Sequence, residues 1–290
     1  MSVSEGTLQR SYGKVFDQVA DEYDRHRPTY PEQMIDRACL VAGLERGSQV
    51  LEIGCGTGQL TRSLLARGLR VTAIEPGAQL AELTLQRLEG TGGLELVNAR
   101  FEDVQLPHEH FRAVFSASAI HWVDPDVGWQ RAADALVPDG TLALIQYFGL
   151  QEPRSADDQR ALLSAITAIA PEIAASWPSY RDLETTLTGV RERRENVSEV
   201  WAWLGDYEMA REYAADLFDE AQITTVPTLL EHTAAEINAL LGTMSSWARL
   251  SLEQREAMES ANRILYEQLE RPIRSSVVAC LVTTRRKNFR

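Results

Sequence analysis

The chain has 290 residues, 44% of them hydrophobic, enough to bury one large α/β core with an added segment. Its 29 Lys and Arg stand against 42 Asp and Glu, a net charge of -13. Such a surface repels a phosphate backbone, which argues against a nucleic-acid partner. No signal-peptide pattern opens the sequence, and no apolar run approaches the roughly 20 residues of a membrane span, so a soluble cytoplasmic protein with no membrane partner is expected. Cys39, Cys55 and Cys280 are odd in number and far apart, so neither a disulfide framework nor a CxxC metal pair is expected.

In chain order, Tyr12, Phe16, Val19, Ala20 and Tyr23 recur at helical spacing before "RPTYPEQ" interrupts them. Thr29 and Glu32 have capping-box spacing and open a second helix with Met34, Ile35, Ala38 and Val41 on its apolar face. Alternation follows. "QVLEIG", "RVTAIE", "LELVNA", "RAVFSAS" and "TLALIQYF" read as strands, with helices at "QLTRSLLARG", "AQLAELTLQRL" and "DVGWQRAADAL". Buried strands alternating with helices predict a doubly wound, mostly parallel sheet over about residues 45–150. Residues 1–44 would form an N-terminal helical segment. Within 151–290, helical stripes are expected at Leu162 to Ile173, through "EVWAWLGDYEMAREYAADLF", around Ile237 to Met244 and along "LEQREAMESANRILYEQLE". "QITTVPTLLEHT" and "SSVVACLVTTRR" read as two late strands that extend the sheet to seven, under a helical lid.

The chemistry concentrates in "VLEIGCGTGQL". A dinucleotide fingerprint G-x-G-x-x-G fails in both registers, since its third glycine would fall on Gln59 or Thr61. A Walker A loop fails for want of the lysine. What remains is E-x-G-x-G-x-G, from Glu52 through Gly54 and Gly56 to Gly58, at the carboxyl end of the first strand, where open α/β sheets bind ligands. Glu75 ends the second strand 19 residues after Gly56, where an acidic side chain can accept two hydrogen bonds from a ribose diol. A helix-capping carboxylate is its alternative role.

This stretch resembles motif I of the class I S-adenosylmethionine-dependent methyltransferases, and the resemblance extends over the whole sheet. It implies a seven-stranded Rossmann-like methyltransferase fold with S-adenosyl-L-methionine as cofactor, its ammonium and sulfonium held in the glycine loop. It also implies that Pro76 flanks the ribose site, and that Phe101 and either Glu102 or Asp103, in "ARFEDV", meet the adenine. Ser116 and Ala117 would lie beside the cofactor. In "SASAIHWVDP", His121 is the candidate catalytic base, or else a packed histidine, and Trp122 a pocket residue. Asp124 and Pro125 read as a helix start.

"VADEYDRHRPTYP" is similar to a segment that closes over the cofactor in a family subgroup. Tyr23 and Arg27 would reach the cofactor carboxylate there, or Arg27 would merely pair with Asp24. Trp177, Tyr180, Trp201, Trp203, Tyr207 and Trp247 would line a substrate pocket or form the core of the lid, with Tyr180 expected in the pocket. In layout the chain resembles the trans-aconitate methyltransferase-like branch, which implies a small-molecule substrate, with natural-product biosynthesis among the settings, and in-line methyl transfer to O, N or C. No metal is expected. A homo-oligomer is compatible with the sequence. The alternatives are a cofactor-binding or regulatory protein without turnover, and an NAD-dependent oxidoreductase, disfavoured by the failed fingerprint.

Overall fold

The computed structural model describes residues 17, 20–175, 177, 179–207 and 214–288. A seven-stranded sheet is built from β1 (Gln49–Ile53), β2 (Arg70–Ile74), β3 (Leu94–Val97), β4 (Phe111–Ala117), β5 (Leu136–Gly149), β6 (Gln222–His232) and β7 (Ile273–Arg285). Its order is β3-β2-β1-β4-β5-β7-β6. The first five strands run parallel, and β7 runs antiparallel to both β5 and β6. Ordered apolar runs explain the burial on both faces: β1 and β4 are almost wholly buried, as expected of parallel strands covered by helices on each side. One core cluster includes Leu51, Ile74 and Trp129, the other Val50, Ala113 and Ile145.

Helices of the core are α2 (Glu32–Val41), α3 (Gln59–Ala66), α4 (Ala78–Arg87) and α5 (Pro125–Ala135), preceded by the short α1 (Ala20–His26). Asp124 caps α5 by accepting from the Asp126 amide, with Pro125 at the first turn, as the sequence predicts. The Thr29–Glu32 capping box does not form. α2 starts at Pro31 with no side-chain cap, because the Glu32 carboxylate is drawn instead to the Ser63 hydroxyl and the Arg67 guanidinium, each within 2.8 Å.

After β5 come α6 (Ala156–Ile169), α7 (Pro171–Ala174), α8 (Leu183–Arg193), α9 (Val197–Gly205), α10 (Ala234–Gly242) and α11 (Leu252–Leu269). The helix expected through "EVWAWLGDYEMAREYAADLF" stops at Gly205, where Asp206 adopts left-handed backbone (φ 51°) and caps it. α8 has no clear signature in the sequence. Its apolar stripe is weak, and Gly189 within it is needed because a β-carbon there would overlap the Trp203 ring. β5 begins earlier than the expected "TLALIQYF", at Leu136, and its pairing with β4 shifts register between Phe111 and Ala113. No helix among the described residues is long and apolar enough to cross a membrane.

Candidate active site

The strand order reverses between β1 and β4, so a crevice opens beyond their carboxyl ends, the place where doubly wound sheets hold ligands. Gly54, Gly56 and Gly58 all adopt positive φ, 70°, 57° and 82°, turning the chain sharply from β1 into α3. Their reasons differ. At Gly54 a β-carbon would overlap Ala119 of the loop after β4, so the two loops can close together only with glycine there. At Gly56 nothing lies within 4 Å of the β-carbon position.

Gly56 is fixed from both sides. Its amide donates to Glu75 Oε2 at 2.9 Å, and its carbonyl accepts from the Thr84 hydroxyl at 2.7 Å. Glu75 Oε1 accepts from the Gly77 amide at 2.8 Å, so one buried carboxylate ties the end of β2 to the glycine loop. Burial raises its pKa, against the two amides. Each oxygen keeps a further lone pair for a diol. Pro76 lies exposed in the bend leading to α4.

Glu52 is buried, and its Oε2 accepts from the Thr61 hydroxyl at 2.7 Å. Its other oxygen, and the buried Thr57 hydroxyl, have no hydrogen-bond partner among the described residues. Burial drives the Glu52 carboxyl up to about 7, with Glu75 adding to the push and Thr61 opposing it. A cation beside Oε1 would reverse that effect. A buried acceptor without a donor is costly, so this atom and the open space over Gly56 fit a ligand that brings an ammonium and no phosphate.

Phe101 is buried, with the Arg131 guanidinium 5.5 Å from its ring centre. Of the two adjacent carboxylates, Asp103 is exposed, while Glu102 is half-buried and accepts from the Asp124 amide and from Arg100, both at 2.9 Å. Ser116 is buried and donates to the Ile53 carbonyl at 3.1 Å; Ala117 ends β4 next to it.

Beyond β4, His121 and Trp122 form a single 3-10 turn, Ile120–Trp122. The His121 ring stacks on Tyr207, centroids 4.2 Å apart and planes 8° from parallel, and meets Trp122 at 4.9 Å. Its Nδ1 is buried without a partner. Burial, then the Arg27 charge, brings the imidazole down to about 3. An imidazole held that low is uncharged at neutral pH and able to hydrogen bond.

Arg27 donates to the Thr243 hydroxyl at 2.9 Å and carbonyl at 2.8 Å, linking the end of α1 to the end of α10. Asp24 is not its partner, pairing instead with Arg87 of α4. The side chain of Tyr23 lies outside the described residues. The six aromatics separate. Trp201 is fully buried against Phe148, Trp203 lies between Arg181 and Arg193, and Trp177 and Trp247 pack in the apolar clusters among the cap helices. Tyr180 lies partly exposed over Gly149 with its hydroxyl 3.3 Å from Trp177 Nε1. Tyr207, with Gln146, joins His121, and sequence reasoning missed that grouping because the three residues come from elements far apart in the chain. No group of three or more His, Cys, Asp or Glu among the described residues is placed to hold a metal.

Residues 51–144 match the family model described as a methyltransferase domain. An uncharacterized methyltransferase of Mycobacterium tuberculosis is 35% identical over 145 residues, 50% of this chain and 55% of that protein. The chain thus matches about half the length of such a curated relative. A solved structure from Anaeromyxobacter dehalogenans, provisionally assigned as a type II methyltransferase, superposes with a TM-score of 0.55 at 20% identity, over 90% of this chain and 97% of that one. Another, Haemonchus contortus phosphoethanolamine N-methyltransferase 2 with phosphomonomethylethanolamine and S-adenosylhomocysteine, gives 0.51 at 12% identity, covering 99% of this chain and 61% of that one. At those identities the structural matches speak for the fold, while the domain match and the sequence relative speak for the family. Residues 51–144 thus form a methyltransferase domain, and the glycine loop and sheet order around it are those expected of the class I S-adenosylmethionine-dependent fold.

Proposed function

We propose that this protein binds S-adenosyl-L-methionine and transfers its methyl group to a small molecule. The observation that carries the reading is the glycine loop: Glu52 Oε1 and the Thr57 hydroxyl are buried without a hydrogen-bond partner among the described residues, and nothing lies within 4 Å of the β-carbon position of Gly56. When bound, the cofactor supplies an activated methyl group on a sulfonium that is its own leaving group. The chain therefore has to align, exclude water and match charge. Glu52 and Thr57 receive the ammonium. Glu75, flanked by Pro76, accepts from the ribose diol, Phe101 packs on the base, Glu102 faces its amine, and Ser116 and Ala117 form the wall. Arg27 and Tyr23 close over the carboxylate end from the N-terminal segment, 1–44, which with the cap of 151–290 encloses the core of 45–150. Trp122 and Tyr180 line the acceptor side, and His121 orients the acceptor as a neutral hydrogen-bonding group.

The net charge of -13 supports a small acceptor over a nucleic acid, in keeping with the likeness to the trans-aconitate methyltransferase-like branch. A cytoplasmic setting and a role in natural-product biosynthesis belong to the same proposal, as does the open choice of O, N or C as acceptor atom. Incubation with methyl-deuterated cofactor and a small-molecule library, read by mass, tests it. A labelled product is expected. Cofactor binding with no labelled product from any acceptor class would favour a binding or regulatory protein instead.

A further inference from the structure

Three side chains meet at the border between core and cap, from elements distant in sequence. His121 follows β4, Gln146 lies in β5, and Tyr207 follows α9. The Gln146 amide donates to the Tyr207 hydroxyl, and the Tyr207 ring covers the His121 ring. Two polar atoms flanking this ring, Gln146 Oε1 and His121 Nδ1, are buried and have no hydrogen-bond partner among the described residues. Folded proteins leave few such atoms unsatisfied, because each costs its lost hydration. Two on the neighbours of one tyrosine call for a shared explanation.

The placement of Tyr207 is built by several devices. Gly205 has no side chain because a β-carbon would overlap the tyrosine ring. Asp206 turns the chain through left-handed backbone, and its carboxylate is held by the Ser179 amide at 2.9 Å and by the Arg181 guanidinium. The Tyr207 amide returns to the Ala202 carbonyl at 3.1 Å. This much local specification fixes the ring over His121. It is not a side chain that drifted inward.

We propose that Gln146 and Tyr207, with His121, form a subsite that recognises an uncharged hydrogen-bond donor, a hydroxyl or an amide N–H, on the methyl acceptor. The inference rests on the methyltransferase reading and narrows its substrate class. Gln146 Oε1 can only accept, and an imidazole with its proton on Nε2 accepts at Nδ1. A carboxylate brings no proton to either atom. A cation would enter the field of Arg27, whose charge bears on both His121 and Tyr207. An uncharged donor satisfies the unspent atoms without a charge penalty. Gln146 and His121 contact the donor, and Tyr207, which accepts from the Gln146 amide and covers the His121 ring, acts as a positioning residue.

The test uses the full chain with S-adenosylhomocysteine and four probes of similar size: benzyl alcohol, benzamide, benzylamine and benzoate, followed by ligand-observed NMR at millimolar concentration. The two neutral donors should bind in preference to the ions. Gln146→Leu should weaken them by about tenfold, the scale of one hydrogen bond, and Tyr207→Phe, which keeps the ring stack, by a few fold. Cofactor affinity by calorimetry should not change in either variant, which separates positioning from a folding defect. Should Gln146→Leu fail to fold, Tyr207→Phe carries the test alone. Equal or better binding of benzylamine or benzoate, neutral binding unchanged in the folded variants, or no binding of any probe would overturn the subsite. Failure of the wild type to bind the cofactor would instead overturn the methyltransferase reading.

Discussion

The two halves of the crevice are built by different means. On the cofactor side, the glycine loop is shaped by backbone: three positive φ values, an amide on Glu75 and a carbonyl on Thr84 position it, with ligand space left by a missing side chain. On the proposed acceptor side, the geometry depends on side chains brought together from β5, the turn after β4 and the end of α9. Backbone constraints restrict sequence tightly, while side-chain constellations can be rebuilt in many ways. The matched family model accordingly runs over residues 51–144 and includes His121 but neither Gln146 nor Tyr207.

That contrast can be broken most severely at Gly56. A valine there places branched carbons in the open space and strains the backbone at φ 57°. Cofactor affinity should fall at least about a hundredfold, close to 3 kcal/mol, with the titration heat lost. Unchanged affinity would remove the loop from the site.

Glu52 gives the next largest effect, and it has a sign. Burial raises its carboxyl to about 7, so the folded state resists an ionisation that the unfolded chain completes at lower pH. Stability from this group is fully present below about pH 4.5 and is lost as pH rises through 7, by up to about 3 kcal/mol. Glu52→Gln should therefore match the wild type near pH 4 and exceed it at pH 8 in denaturant midpoint. It should bind the cofactor more weakly at pH 8, with the difference narrowing toward pH 4, where the wild-type carboxyl is protonated. A parallel pH dependence in the two proteins would contradict the burial of that charge.

His121 carries the opposite sign. Its imidazole is held down to about 3, so its contribution to stability is present above about pH 6.5 and declines as pH falls toward 3. His121→Ala should lose that acid sensitivity and lower turnover several-fold, leaving cofactor affinity alone. An imidazole signal titrating near 6.5 by NMR would speak for a general base instead. The smallest effect belongs to Asp24→Asn. It removes a partly exposed pair with Arg87 worth about 0.5 kcal/mol, read as a slight loss of thermal stability.

The legibility of the molecule follows the same division. Strand alternation, the glycine spacing and Glu75 were readable because each reflects a local rule of backbone or period. The Thr29–Glu32 spacing misled because a tertiary partner, Arg67, outcompeted the local cap. α8 escaped because its placement depends on Gly189 receiving Trp203, a contact with no periodic trace. Tyr207 was legible as an aromatic in the right region, but its stack on His121 depends on the bend at Gly205 and Asp206. The sequence pattern alone extended that helix through the bend.

The most direct test of the central claim is a calorimetric titration of the full chain with S-adenosyl-L-methionine, run beside NAD and beside the Gly56→Val variant. Saturable binding of S-adenosyl-L-methionine at one site, no heat with NAD, and no heat with the variant are predicted. Saturable binding of NAD with none of S-adenosyl-L-methionine would contradict the account.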